Sequence, residues 1–150
     1  MLMAIELASQ NVQTGAGGPF GAVIVKDGQV IATGTNTVTE TNDPTAHAEV
    51  LAIRRACEVL GSFQLTGCEI YSSCEPCPMC LGAIYWARPN VLYYAGTQAD
   101  AAKAGFDDSF IYQELGRPIE TRKLKMVHLP VDGFLACFDQ WKAANAKTEY

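Results

Sequence analysis

Apolar residues in the stretch AHAEVLAIRRACEVLG recur at a helical rhythm. Ala46, Val50, Ile53, Cys57 and Leu60 follow one another at steps of four or three, which puts them on one face of a helix. Gly61 suits its C-terminal cap. The chain also begins with a helical pattern, MLMAIELASQNV, in which Glu6 interrupts the apolar run and no basic residues precede it, unlike a secretion signal. The pattern changes in GAVIVKDGQVIATGTN, where two β-branched runs flank Asp27-Gly28 and predict a hairpin. CEIYSS and VLYYAG read as strands on either side of a helix that Pro78 opens and that ends near Ala87, giving a β-α-β unit with a parallel crossover. A polar loop, TVTETNDPT, precedes the helix with the periodic stripe. Further on, SFIYQELG is expected to be helical, LKMVHL a fifth strand, and FLACFDQWKAANAK a closing helix. Strands alternating with helices predict an α/β fold, a three-layer α/β/α sandwich around a mixed five-stranded sheet.

A chain of 150 residues fits one domain, residues 1–150. Apolar residues make up 49% of it, which excludes a disordered chain. The net charge of −5 argues against a surface built to grip a phosphate backbone. No apolar run approaches the length of a membrane span. The six cysteines, without a secretion signal, point to metal ligands, nucleophiles or buried thiols in a reducing, cytoplasmic setting rather than to disulfides.

The chemistry concentrates in TAHAEV and SSCEPCPMC. His47 stands at the start of a predicted helix, two residues before Glu49. Cys77 and Cys80 open another helix at i, i+3, so their thiols share a face. A helix N-terminus favours the thiolates a metal needs. One imidazole with two thiolates matches zinc, leaving a fourth position for water, as in catalytic rather than structural sites. Glu49 and His47 lie on opposite helical faces, yet at the very start of a helix both side chains can reach past the terminus to one site. Cys74, at the end of a strand, is expected to be packed or to stand behind the ligands. A thioredoxin-like C-x-x-C is the alternative from another class, but it leaves the H-A-E segment unexplained.

The combination H-A-E…P-C-x-x-C resembles the signature of the zinc deaminases, in which the glutamate moves protons and does not bind the metal. GGPFGAVIVKDG, GTN, NDPTAHAEV, SCEPCPMCLGAIYWAR and AGFDDSFIY together resemble the small bacterial guanine deaminases of the cytidine deaminase superfamily. The resemblance runs from about Gly17 to Tyr112. Its first half is shared with tRNA adenosine deaminases, the alternative within the superfamily; GFDDSFIY is the discriminating piece. It implies hydrolytic deamination of guanine to xanthine and ammonia, with a zinc cofactor on His47, Cys77 and Cys80 and with Glu49 and Asp108 as catalytic groups. By the same resemblance Asn36, Phe20, Ala48, Asp108 and Tyr150 contact the substrate, a small purine base rather than a nucleic acid. It further implies a homodimer in which the C-terminal segment, ending at Tyr150, can close over the base from the partner subunit. Tyr85 and Trp86 are expected to pack or to meet that partner.

Overall fold

The structure is a computed structural model and describes residues 1–149; Tyr150 lies outside the described residues. Its chain divides into two compact units, Met1–Tyr112 and Gln113–Tyr150.

The first unit is built on a sheet of four strands: β1 (Gly21–Lys26), β2 (Gln29–Thr35), β3 (Cys68–Cys74) and β4 (Val91–Gly96), in the order β2-β1-β3-β4. β1 pairs antiparallel with both β2 and β3, whereas β3 and β4 run parallel. The sheet is therefore mixed, as expected. The hairpin turns at Asp27 and Gly28, both with positive φ (50° and 76°), as a two-residue turn with asparagine- or aspartate-glycine demands.

Helix α1 (Leu2–Gln13) and helix α3 (Ala48–Leu60) cover opposite faces, which two glycines show. A Cβ on Gly21 would meet the backbone of Ala4 and Ala8 in α1; a Cβ on Gly34 would fall 2.1 Å from the Ala48 carbonyl oxygen and 2.8 Å from the Ala52 nitrogen in α3. Gly34 pairs with Ala22 and so shares its face, and Ala22 and Gly21, as neighbours along a strand, face opposite ways. The two helices thus sandwich the sheet. Helix α4 (Pro78–Ala87) packs against α3. Ala22, Ile24, Ile70, Cys68, Leu65 and Ile84 form the core on that side.

The stripe predicted for α3 is displaced around the helix. Ala48, Ala52 and Ala56, at i, i+4 spacing, are fully buried, while Ile53, Cys57 and Leu60 flank them half-buried. Close approach is the cause. At Gly34 the helix backbone nearly touches the sheet, and only small side chains fit along that line.

Loop TVTETNDPT contains a short helix, α2 (Val38–Thr41), and VLYYAG is followed by α5 (Gln98–Lys103), neither foreseen. SFIYQELG forms α6 (Ser109–Leu115), and α7 (Ala136–Ala143) is shorter than the closing helix expected. The fifth strand is not formed: residues 124–129 make no ladder, and the sheet stops at four strands among the described residues. A strand is defined by the ladder it makes with a neighbour, and residues 124–129 pair with neither edge strand, β2 or β4. No helix among the described residues is long and apolar enough to cross a membrane.

The approach at Gly34 gives a direct test. Gly34→Ala should force α3 away from the sheet and destabilise the chain by about 3 kcal/mol, roughly 6–12 °C in Tm. Thermal unfolding followed by circular dichroism measures it; an unchanged midpoint would mean that α3 retreats without penalty.

Candidate metal centre and base pocket

Two helix N-termini and the end of a strand converge on the site. His47 is the N-cap of α3, in extended conformation (φ −75°, ψ 153°), so its side chain leaves the helix backwards. Glu49 is the second residue of α3 and is buried. Cys77 is the N-cap of α4, with Pro78 in the first turn, where its missing N–H costs nothing. Cys80 lies three residues on and is fully buried.

The sulfurs of Cys77 and Cys80 stand 3.6 and 3.4 Å from Nδ1 of His47. All three ligand atoms lie within 4.8 Å of one another. A tetrahedral zinc with ordinary Zn–N and Zn–S bonds would hold a nitrogen and a sulfur about 3.6 Å apart. The donor set and its spacing therefore fit zinc. Cys74 is outside this group: its thiol donates to the Thr97 carbonyl at 3.6 Å.

The protonation of the triangle agrees with a ligand set. Cys77 is pulled down to about 4, chiefly by the hydrogen bond from Cys80 and further by His47, while His47 is raised by its bond to Cys77. Cys80 is pushed up by that same bond to Cys77, by burial and by Glu49. A metal ligand set must give up its protons, and Cys77 is the sulfur already poised to do so.

Glu49 is held at both oxygens. Ser72 Oγ donates to Oε1 at 3.2 Å and the Cys80 thiol lies 3.5 Å from Oε2. Burial raises the carboxyl above its ordinary value, which favours proton uptake. Ser72, only 2% exposed, was not foreseen. Strand alternation from Ile70 would have placed it on the α3 face beside Glu49.

A cavity of about 620 Å³ opens beside the triangle. His47, Glu49, Cys77, Asn36, Phe20 and Asp108 all line it, so the residues singled out in distant motifs meet in one space. Asn36 is buried and its Oδ1 accepts from the Val38 N–H at 3.3 Å, which leaves the carboxamide's NH2 as its donor. Asn11 supports it from α1, donating at 2.8 Å to the carbonyls of both Gly18 and Asn36. Phe20 meets Phe106 edge to face, with centroids 4.9 Å apart and an interplanar angle of 86°.

The adjacent aspartates have separate partners. Asp107 Oδ1 accepts from the Ser109 N–H at 2.9 Å, at the start of α6. Asp108 instead accepts from Gln98 Nε2 at 2.7 Å and faces the cavity. Ala48 does not reach this space: it is fully buried, with its carbonyl against Gly34. Gln98 and Phe106 also line the cavity; neither was singled out, since a lone glutamine or phenylalanine carries no spacing signal.

Residues 1–95 match the cytidine and deoxycytidylate deaminase zinc-binding region. The chain belongs to this deaminase family. His47, Cys77 and Cys80 all fall inside the matched region, and zinc is its metal. Among relatives, the chain is 58% identical to guanine deaminase of Bacillus subtilis over 147 residues, covering 98% of this chain and 94% of that one. The X-ray structure of that enzyme superposes with a TM-score of 0.97 at 57% identity, covering 99% and 95% of the two chains. A chain solved in complex with 2,6-diaminopurine matches at 36% identity and a TM-score of 0.68, over 71% of this chain and 59% of that one. The tRNA-specific adenosine deaminase of Aquifex aeolicus is 37% identical over 114 residues, 76% of this chain and 73% of that one.

Zinc content tests the ligand assignment. Elemental analysis should find about one zinc per chain, given a single three-ligand cluster. Cys77→Ala should lose it and Cys74→Ser should keep it. Zinc loss from the Cys74 variant would put the wrong sulfur in the triangle.

Proposed function

We propose that this deaminase converts guanine to xanthine and ammonia by hydrolysis. The observation that carries the reading is that an acceptor, Asp108, lines the same cavity as Glu49 and the zinc triangle. The 58% identity with the Bacillus subtilis guanine deaminase supports it. Guanine presents two adjacent donors, N1–H and the 2-amino group, and a carboxylate accepts from both. Its O6 and N7 accept, which suits the NH2 of Asn36. The Phe20–Phe106 pair gives an aromatic wall for the ring.

Zinc held by His47, Cys77 and Cys80 supplies Lewis-acid activation of water. Glu49 takes one proton from the attacking water and delivers it to N3 of the base as C2 is attacked; it then takes the second proton from the hydroxyl now on C2 and passes it to the amine, which leaves as ammonia while C2 becomes a carbonyl. Ser72 holds Oε1 of Glu49, so the carboxylate stays oriented between these transfers. Asp108, at the donor edge, stands where the leaving amine departs and shares the second transfer. Burial of Glu49 and Cys80 keeps bulk water from competing for these protons.

In this reading the whole chain, residues 1–150, acts as one deaminase domain; the similarity to the Bacillus subtilis enzyme over 147 residues supports that extent. It works as a homodimer in the cytoplasm, where its free thiols stay reduced. No described residue beyond Gln113 is buried, and Leu124, Val127, Leu129 and Val131 are all more than 60% exposed. Tyr85 of α4 is 75% exposed. Apolar surface on this scale calls for a covering partner, and an exchanged C-terminal segment would supply it. The reading also gives Tyr150 a part in binding the base. Its deletion should raise KM for guanine, and an unchanged kcat/KM would leave the C-terminus without a part in binding.

A panel of guanine, adenine, cytosine, cytidine, guanosine and a tRNA anticodon loop, followed by ammonia release, separates the readings. Guanine should be the substrate turned over fastest. Release from the anticodon loop alone would make the chain a tRNA deaminase, a role for which its net charge of −5 is poorly suited.

Two substitutions test the chemistry. Glu49→Gln should keep zinc and fold while losing several orders of magnitude in turnover, because the proton carrier is gone. Retained deamination would remove Glu49 from the mechanism. Asp108→Asn turns an acceptor-only group into an amide whose NH2 opposes guanine's donors, and should lower kcat/KM by about a hundredfold or more. Steady-state kinetics with guanine measures both.

A further inference from the structure

Gln98 is the first residue of α5, directly after β4 and its N-cap Thr97. Its two nitrogens hold two carboxylates. The backbone N–H donates to Glu75 Oε2 at 2.9 Å, and Nε2 donates to Asp108 Oδ1 at 2.7 Å. Glu75 precedes Pro76 and the ligand Cys77, and its own N–H donates to the Gly96 carbonyl at 2.8 Å. Glu75, Gln98 and Asp108 all line the cavity with His47 and Glu49. A continuous chain of hydrogen bonds thus runs from the metal-binding loop to the carboxylate facing the base.

The orientation of the Gln98 carboxamide follows from its partner. A carboxylate only accepts, so the NH2 must face Asp108. At 2.7 Å the bond is short and charge-assisted, stronger than a neutral pair. It takes one acceptor site of Oδ1 and leaves the other, with Oδ2, to meet the two donors of the ligand. Without it, Asp108 would rotate about its side-chain bonds, or turn to the backbone N–H groups at the start of α6 as Asp107 does at Ser109. A recognition group that is fixed beforehand loses less freedom on binding.

We propose that Gln98 is a positioning residue: its carboxamide fixes the Asp108 carboxylate against the donor edge of the base, and so tunes selection for 2-aminopurines. The inference rests on the guanine reading above. Gln98→Leu removes the donor at similar size, and Gln98→Glu keeps the shape but sets a second carboxylate against Asp108.

Kinetics with guanine on Gln98→Leu, Gln98→Glu, Asp108→Asn and the double variant Gln98→Leu/Asp108→Asn, each with its zinc content, tests it. Gln98→Leu should lower kcat/KM about ten- to a hundredfold at full zinc, in the same parameter, KM or kcat, that Asp108→Asn affects. Gln98→Glu should lose more. In the Asp108→Asn background Gln98→Leu should cost little, because the group it positions is already gone. Additive losses would mean that Gln98 only supports α5, and would overturn the proposal. Wild-type kinetics in Gln98→Leu beside an impaired Asp108→Asn would overturn it while leaving the guanine reading intact. An unimpaired Asp108→Asn would sink the role of Asp108 and this inference with it.

Discussion

The contact on which the rest of the site depends is that of Gly34 with the backbone of Ala48 and Ala52. It sets the depth of α3 against the sheet, and α3 carries His47 and Glu49 at its first turn. A side chain at position 34 would lift that turn by the width of a methyl group. Metal geometry tolerates errors of only a few tenths of an ångström. The same contact explains why alanines rather than the larger apolar residues take the innermost line of the helix. Packing density near the site is given up in side-chain volume and recovered in backbone proximity.

Helix polarity does the next part. The N-termini of α3 and α4 point at one spot, each contributing partial positive charge. Cys77 as an N-cap and Cys80 one turn in are therefore in the place on a helix where thiolates are most favoured. Glu49 sits at the other N-terminus but is buried, and its environment opposes charge. One pair of helix ends thus supports two opposite demands: sulfurs that give up protons to a metal, and a carboxylate that readily takes one. For Cys77 burial makes the difference, since it is half-exposed and Glu49 is not; the buried Cys80 is raised like Glu49.

Much of this was legible in the sequence because it is local. The hairpin at Asp27-Gly28, the proline opening α4 and the i, i+3 cysteines each depend on neighbours a few residues away, and each is where the pattern put it. His47 and Glu49 were also legible, because a helix start has a recognisable position even when its partner is unknown. What could not be read is set by contacts between distant segments. LKMVHL has the composition of a strand, but pairing is a property of two strands, and composition names no partner. The stripe on α3 was misplaced around the helix because Gly34, in another element, decides which face is innermost. Ser72, Gln98 and Asn11 escaped for the same reason: each is an ordinary polar residue whose partner lies 7 to 25 residues away. Ala48 shows the converse. Standing between two site residues in sequence, it turns into the core.

The division between chemistry and recognition follows the chain. The metal cluster His47, Cys77 and Cys80, with Glu49 and Ser72 beside it, falls within the family's zinc-binding region, residues 1–95. Much of the cavity wall lies after it: Gln98, Phe106, Asp108, Phe110 and Ile111 come from α5, α6 and the turn between them. The parallel pair β3 and β4 makes this possible. β3 runs directly into the metal-binding loop, and β4, ending beside it, delivers the next segment to the same edge of the sheet. Ligands gather at the carboxyl ends of parallel strands for this reason. A change in the residues after β4 can therefore alter which amino-heterocycle is held without moving a metal ligand. The bond from Glu75 to Gln98 is where the two parts are tied together. Through it the start of α5, which carries Gln98 into the cavity wall, is held by the segment that leads into Cys77.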